Sequence, residues 1–236
     1  MIAALFVARG GVYFGVEGVD PYDEARDATT YAGPHAVVAH PPCQRFGRYW
    51  SGGPSAKVRR LKGDDGGCFA SALASVRAYG GVLEHPEASH AWRLFGLFAP
   101  PRGGGWITAG DGVGWTCCVE QGHYGHAARK ATWLYSVGCV LPSLKWGRSS
   151  SGRRLDLGFH SAEERRAFFR PPAGASPEFR AARREFFRLK EEVEGKALCV
   201  PERLSQKERL GTPLPFRDLL LGMARSVKEV RHDQGL

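Results

Sequence analysis

The chain has 236 residues, 43% of them hydrophobic, enough for one sizeable core. Lysine and arginine number 33 against 24 aspartate and glutamate, a formal net charge of +9 that favours an acidic partner, nucleic acid first. No apolar run reaches the roughly 18 residues of a membrane span, residues 1–7 are too short and uncharged for a secretory signal, and six cysteines without a regular framework suit a reducing cytoplasm.

Taken in order, Ile2 to Val7 reads as a buried strand ending in Ala8-Arg9-Gly10-Gly11. Val12 to Val19 is a second apolar run, and residues 20–27 form a polar connection. Ala36 to Ala39 is a short buried strand that breaks at Pro41-Pro42, since proline continues neither a sheet nor a helix interior. Residues 47–53 are a glycine-rich loop with aromatics and positive charge, continued by Lys57, Arg59, Arg60 and Lys62. Cys68 to Tyr79 has helical spacing in Phe69, Leu73 and Val76, and Gly80-Gly81 ends it. Val82-Leu83 is a strand closed by Glu84-His85-Pro86, and Ser89 to Phe98 a further helix. Residues 106–108, 115–121 and 132–140 read as strands, with a loop at 122–126.

Strands alternating with helices predict an α/β fold with a mainly parallel sheet, which places ligands at strand carboxyl ends. The expected organisation is a catalytic domain over 1–148, a basic helical insertion or appendage over 149–202, and a C-terminal segment, 203–236, packing back on the catalytic domain. The appendage holds a capping box at Ser161 to Glu164 and a helix from Ser176-Pro177 to about Glu194. A second capping box stands at Ser205 to Glu208, and Phe216 to Val227 is a final amphipathic helix.

The chemistry concentrates in His40-Pro41-Pro42-Cys43-Gln44-Arg45. A cysteine on a rigid loop at a strand end is placed to act as a nucleophile. Arg45 and a protonated His40 would favour its thiolate. A half-buried structural thiol is the competing reading. Glu84 follows one helix and one strand later, and neighbouring parallel units bring their strand ends side by side. A thiolate and a carboxyl group would then flank one crevice, the first to add to an electron-poor ring carbon, the second to serve the ring nitrogen that takes up the electrons.

These motifs, in this order, resemble the DNA cytosine-C5 methyltransferase family, and phrases around His40 and Glu84 are similar to phage-encoded relatives of it. Its Pro-Cys-Gln corresponds to Pro42-Cys43-Gln44 and its Glu-Asn-Val to Glu84-His85-Pro86. Its Tyr-Gly, basic cluster and strand correspond to Tyr124-Gly125, Arg129-Lys130 and Trp133 to Gly138. Arg203 to Leu210 is similar to its Arg-Leu-Thr-x-x-Glu stretch, and Leu5-Phe6-Val7-Ala8-Arg9-Gly10-Gly11 to its Leu-Phe-x-Gly-x-Gly-Gly. The resemblance implies a class I methyltransferase (Rossmann-like) sheet, abbreviated in its N-terminal half. It implies Cys43 attacking C6 of a flipped pyrimidine, Glu84 at N3 and the 4-amino group, and Arg129 or Lys130 at the base oxygen. Phe6, Gly10 and Gly11 would bind S-adenosylmethionine, with Pro42, Gln44, Arg45, Arg48, His85 and Tyr124 contacting DNA or the base. For a phage-encoded enzyme the compartment is the cytoplasm of a bacterial host.

The chain departs from the family pattern. Ala4 stands for an acidic residue, Ala8 for a loop glycine and His85 for asparagine, and the family's Gln-x-Arg-x-Arg reads Ala128-Arg129-Lys130-Ala131-Thr132. Between Gly11 and Cys43 there is room for about one βαβ unit of roughly 30 residues, not two. The base site is therefore better supported than the cofactor site, and a relative that transfers another group to a pyrimidine is an alternative. So is a non-catalytic nucleic-acid-binding protein. A third is a structural zinc site drawn from His40, Cys43, Cys68, His85, Cys117, Cys118, His123 and His126, though no Cys-x2-Cys pair is present.

Overall fold

The computed structural model describes residues 1–47, 50, 51, 58, 60–151, 174, 176–178, 180, 181, 204 and 206–227. The chain divides into two compact units, Met1–Ser151 with Thr212–Leu236, and Gly152–Gly211.

In the first unit seven strands form one sheet: β1 (Ile2–Leu5), β2 (Val19–Tyr22), β3 (Ala36–Ala39), β4 (Gly81–Pro86), β5 (Ile107–Thr108), β6 (Trp115–Glu120) and β7 (Ala131–Val137). Their order is β2-β1-β3-β4-β7-β6-β5. The first four run parallel, while β4–β7, β7–β6 and β6–β5 pair antiparallel. The expected α/β fold is present. Its sheet is mixed, because the strands after β4 return through hairpin-type pairings that need no helical crossover. From β1 the chain passes to β2 on one side, then crosses to β3 on the other. This reversal is the topological switch point at which open α/β sheets bind ligands, beyond the strand carboxyl ends.

Both faces of the sheet are covered. Ala3, Leu5, Val37, Ala39 and Leu83 pack with Phe69, Leu73 and Val76 of α1 (Cys68–Tyr79) and Trp92 of α2 (His90–Leu94). Ile2, Ala4, Val38, Val82 and Leu134 pack with Phe216, Leu220, Leu221 and Met223 of a C-terminal helix, Leu214–Arg225. The period-2 alternation along the inner strands sorts these two sets, and cover on both faces explains why β1 and β3 are apolar throughout. Asp65 opens α1, its carboxylate accepting from the Gly67 and Phe69 amides. At its other end Gly80 takes φ 73° and donates to the Val76 carbonyl. Gly81 has φ 123°, and a Cβ there would lie 1.9 Å from the Val37 carbonyl oxygen, so only glycine lets β4 reach β3.

Several boundaries differ from the expected ones. The polar connection 20–27 contains β2, an edge strand whose Pro21 is tolerated because one side needs no ladder bond. Strand β4 runs on through Glu84, His85 and Pro86, because β7 pairs with it along its whole length. The helix expected over 89–98 is confined to α2, capped by the Ser89 hydroxyl, and Gly96 turns the chain at φ 70°. Gln121 leaves β6 and enters a 3-10 turn, Gln121–Tyr124. Strand β7 stops at Val137, before Gly138 at φ 69°.

Of the second unit, Pro177, Glu178, Arg180 and Ala181 are helical, as is a short helix, α3, Gln206–Leu210, which makes the C-terminal helix of the first unit α4. The expected capping box at 161–164 and the rest of the 176–194 helix lie outside the described residues.

Candidate active site

Four chain segments meet beyond the carboxyl ends of the parallel strands. Register pairs Leu5 with Ala39 and Ala39 with Leu83, so the ends of β1, β3 and β4 lie side by side. Because β7 is antiparallel to β4, its beginning, with Lys130 just before it, comes to the same end. Cys43, in the loop after β3, and Glu84, the first residue of β4 past its pairing with β3, thus come together, and Lys130 comes beside them.

Cys43 begins a tight turn whose carbonyl accepts from the Phe46 and Gly47 amides. Phe46 is fully buried against Phe69 and His85, and its carbonyl accepts from the His90 amide, so the loop is anchored on α1 and α2. The thiol itself is half-buried. Burial pushes its pKa up, as does the Glu84 charge, and Lys130 is the cation that opposes them. The expected activation by Arg45 and His40 is not what the geometry provides. The Arg45 guanidinium is directed to the Trp50 carbonyl, and His40 is engaged by Tyr13 and Glu84. Cys43 at rest is a thiol, with its positive neighbour on the β7 side.

Glu84 is the best-held charged group of the site. One face of β4 carries Val82 and Glu84 and the opposite face Leu83 and His85, which is why consecutive residues have different fates. Oε2 of Glu84 is 2.9 Å from Nδ1 of His40, and Oε1 accepts from Nε2 of Gln121 at 3.1 Å. That amide also donates to Oγ1 of Thr132, whose hydroxyl in turn donates to the Lys130 carbonyl. Burial alone would raise the Glu84 carboxyl. The hydrogen bond and charge of His40, with Lys130 behind, outweigh it and bring the pKa down to about 2, so Glu84 is ionised. A carboxylate offers about four acceptor sites. Two are taken, which leaves capacity for a ligand's N–H groups.

His85 points the other way, into the first core, among Phe46, Phe69 and Trp92. Its Nδ1 is 2.7 Å from the Ser89 hydroxyl, and burial lowers its pKa to about 4, leaving it neutral. It supports the loop from below rather than facing the crevice. Tyr124 likewise packs on Phe216 of α4 and accepts from the Lys145 amide. Pro42, Gln44 and Arg129 are exposed around the site. Arg48, Lys57 and Arg59 lie outside the described residues.

The loop after β1 holds Phe6 at φ 58° and Gly10 at φ 61°, and Gly11 donates to the Ala8 carbonyl in a turn. It reaches the site, since the Leu5 carbonyl accepts from the His40 amide. Between β1 and β3 the chain forms the edge strand β2 and a 3-10 turn, Ala28–Thr30, and the first turn of α4 meets the loop through Arg217, which donates to the Val12 carbonyl. The loop's own Tyr13, only 2% exposed, is folded in against His40 with ring centroids 5.3 Å apart.

Two residues that sequence reasoning misses complete the site. Tyr13 is hidden in an apolar run and meets His40 from 27 positions away. Gln121 reads as the end of a strand. Neither carries a local signal; only the strand order brings them together. As for zinc, among the described residues no three His, Cys, Asp or Glu side chains are grouped to hold a metal ion. Cys117 and Cys118 are buried in the sheet, and His123 and His126 contact backbone carbonyls.

Comparison of the chain with protein-family models, with curated proteins and with solved structures finds no match.

Proposed function

We propose that the protein is a DNA pyrimidine-modifying enzyme of cytosine-C5 methyltransferase-like chemistry, with Cys43 as nucleophile and Glu84 as the partner of N3. The observation that carries this reading is the placement of Cys43, an ionised Glu84 and Lys130 together where the ends of β3 and β4 meet the start of β7. Cys43 Sγ adds to C6 of a cytosine turned out of the duplex, where the carbon is accessible. The S–C6 bond forms, the C5=C6 π bond breaks, and its electron pair is taken up at C5 and toward N3. Glu84 holds N3 and the 4-amino group, and Lys130 or Arg129 the base oxygen. The thiol proton leaves to water as the S–C6 bond forms; C5 then takes an electrophile and gives up its proton to water, and the S–C6 bond breaks to restore the ring, the departing sulfur taking back a proton from solvent. The excess of positive charge supplies phosphate contacts.

The strand order supports an abbreviated methyltransferase-type sheet, with β2 and β1 on one side of the switch point and β3 and β4 on the other. S-adenosylmethionine is the donor that the resemblance implies, and transfer of another group is the alternative. A duplex containing 5-fluorocytosine separates the two. With S-adenosylmethionine, a methyl-transferring enzyme leaves C5 with methyl and fluorine and no proton to lose, so a complex stable to denaturation accumulates. A protein that labilises the C5 hydrogen of cytosine yet forms no such complex uses a different donor. A protein that does neither is not a pyrimidine C5 enzyme.

A further inference from the structure

We propose that His40, clamped by Tyr13, is a positioning residue that lends Glu84 the proton which N3 of cytosine lacks, and so sets the base on which the site acts. This rests on the reading of Glu84 as the N3 partner. The ring edges of the two candidate bases differ at that atom: N3 of cytosine is a lone-pair acceptor, whereas N3 of uracil or thymine carries a hydrogen. An ionised carboxylate is an acceptor only. It is complementary to N3–H as it stands, but set against N3 of cytosine it opposes two lone pairs unless a proton enters between them.

Among the described residues, such a proton donor is hydrogen-bonded to Glu84. His40 Nδ1 is 2.9 Å from Glu84 Oε2, and its other nitrogen, Nε2, is 2.7 Å from the Tyr13 hydroxyl. A hydroxyl both donates and accepts. Tyr13 therefore accepts from Nε2–H when His40 is imidazolium and donates to Nε2 when His40 is neutral, and neither state leaves an unpaired nitrogen. Burial raises the Tyr13 pKa, which keeps that hydroxyl protonated. Arg217 of α4 fixes the loop that carries Tyr13, donating to the Val12 carbonyl at 2.8 Å. Gln121 holds the other carboxylate oxygen, so a proton passed from Nδ1 arrives on the oxygen that faces His40.

The proton count closes. As Sγ of Cys43 bonds to C6, the thiol proton leaves to water, and N3, now basic, receives one from His40 through Glu84. When Cys43 departs the N3 proton returns by the same route. No oxidant, reductant or further reactant is needed, and a solvent proton taken and lost at C5 gives hydrogen exchange there.

The test uses the full chain and mixed-sequence duplex DNA labelled with tritium at C5, of cytosine in one preparation and of uracil in another. Release of tritium to water is followed for the wild type, Cys43→Ala, His40→Asn and Tyr13→Phe. Asparagine can donate to Glu84 but carries no transferable proton. His40→Asn is expected to lower the cytosine-to-uracil rate ratio by about 100-fold, the scale of a positioned proton donor. Tyr13→Phe, which keeps the ring packing, should move the ratio the same way by less. A merely structural His40 would slow both bases alike. An unchanged ratio in both variants, with wild-type exchange intact, overturns the role of His40 alone. No exchange by the wild type on either base overturns it together with the pyrimidine chemistry beneath it.

Discussion

His40 and Glu84, the first residue past β3 and the fourth of β4, meet through Nδ1 and Oε2 at 2.9 Å. The contact follows from parallel register, which sets Ala39 beside Leu83 and so brings the next residues of both strands onto the same face. It turns a carboxyl group that burial would neutralise into a carboxylate, and it draws the imidazole away from Cys43.

That pair gives stability an acid dependence. The Glu84 pKa falls from an ordinary 4.5 to about 2 in the folded protein. A depressed carboxyl contributes stability that is fully present above the unfolded value and is lost as pH falls through the folded one. Glu84→Gln lacks this contribution. The melting-temperature gap between wild type and Glu84→Gln should therefore narrow as the pH is taken from about 5 to about 2. A gap that is constant or widens over that range would contradict an ionised Glu84.

For catalysis, Glu84→Gln should slow C5 hydrogen exchange by roughly 100-fold or more, because a neutral amide can neither pass a proton nor balance charge at N3. DNA affinity in a filter-binding titration should stay within a few-fold of wild type, since phosphate contacts supply most of it.

The fold offers a sharper stability test. Gly81→Ala places a Cβ 1.9 Å from the Val37 carbonyl oxygen at a φ of 123°. Overpacking and backbone strain together should cost about 3 kcal/mol or more. Denaturant unfolding would show it as a lower midpoint; a midpoint within experimental error of wild type would mean that β3 and β4 do not approach as described.

Binding to DNA should weaken steeply with salt, because each neutralised phosphate releases counterions. A log–log plot of affinity against salt concentration should be linear with a negative slope. Affinity indifferent to salt would point to a free nucleotide as the substrate.

Much of this architecture is legible in the amino-acid sequence. β1, β3, β6 and β7 announce themselves as apolar runs, and α1 by its spacing and its terminal glycines. Cys43 is legible in the loop past a strand end because Pro41-Pro42 interrupt the apolar pattern, whereas Glu84, which reads as a strand end beside Pro86, lies within β4 because β7 extends the strand. β2 is not legible, since Val19-Asp20-Pro21-Tyr22 is a half-buried edge strand with no alternation to read. The antiparallel half of the sheet is also invisible there, because strand direction depends on how chain segments meet and leaves no local trace in composition. The same holds for Tyr13 and Gln121, whose partners are 27 and 37 positions away.

A bond between Cys43 and C6 is read out by tritium release from C5 of cytosine in duplex DNA without any added donor. Hydrogen at C5 becomes labile only when C6 is saturated by a nucleophile, so the readout is independent of the group transferred. Wild type is expected to release tritium in proportion to protein and time, and Cys43→Ala, folded to the same melting profile, to release none above the rate with DNA alone. Release by Cys43→Ala at the wild-type rate would contradict the assignment of Cys43 as the nucleophile.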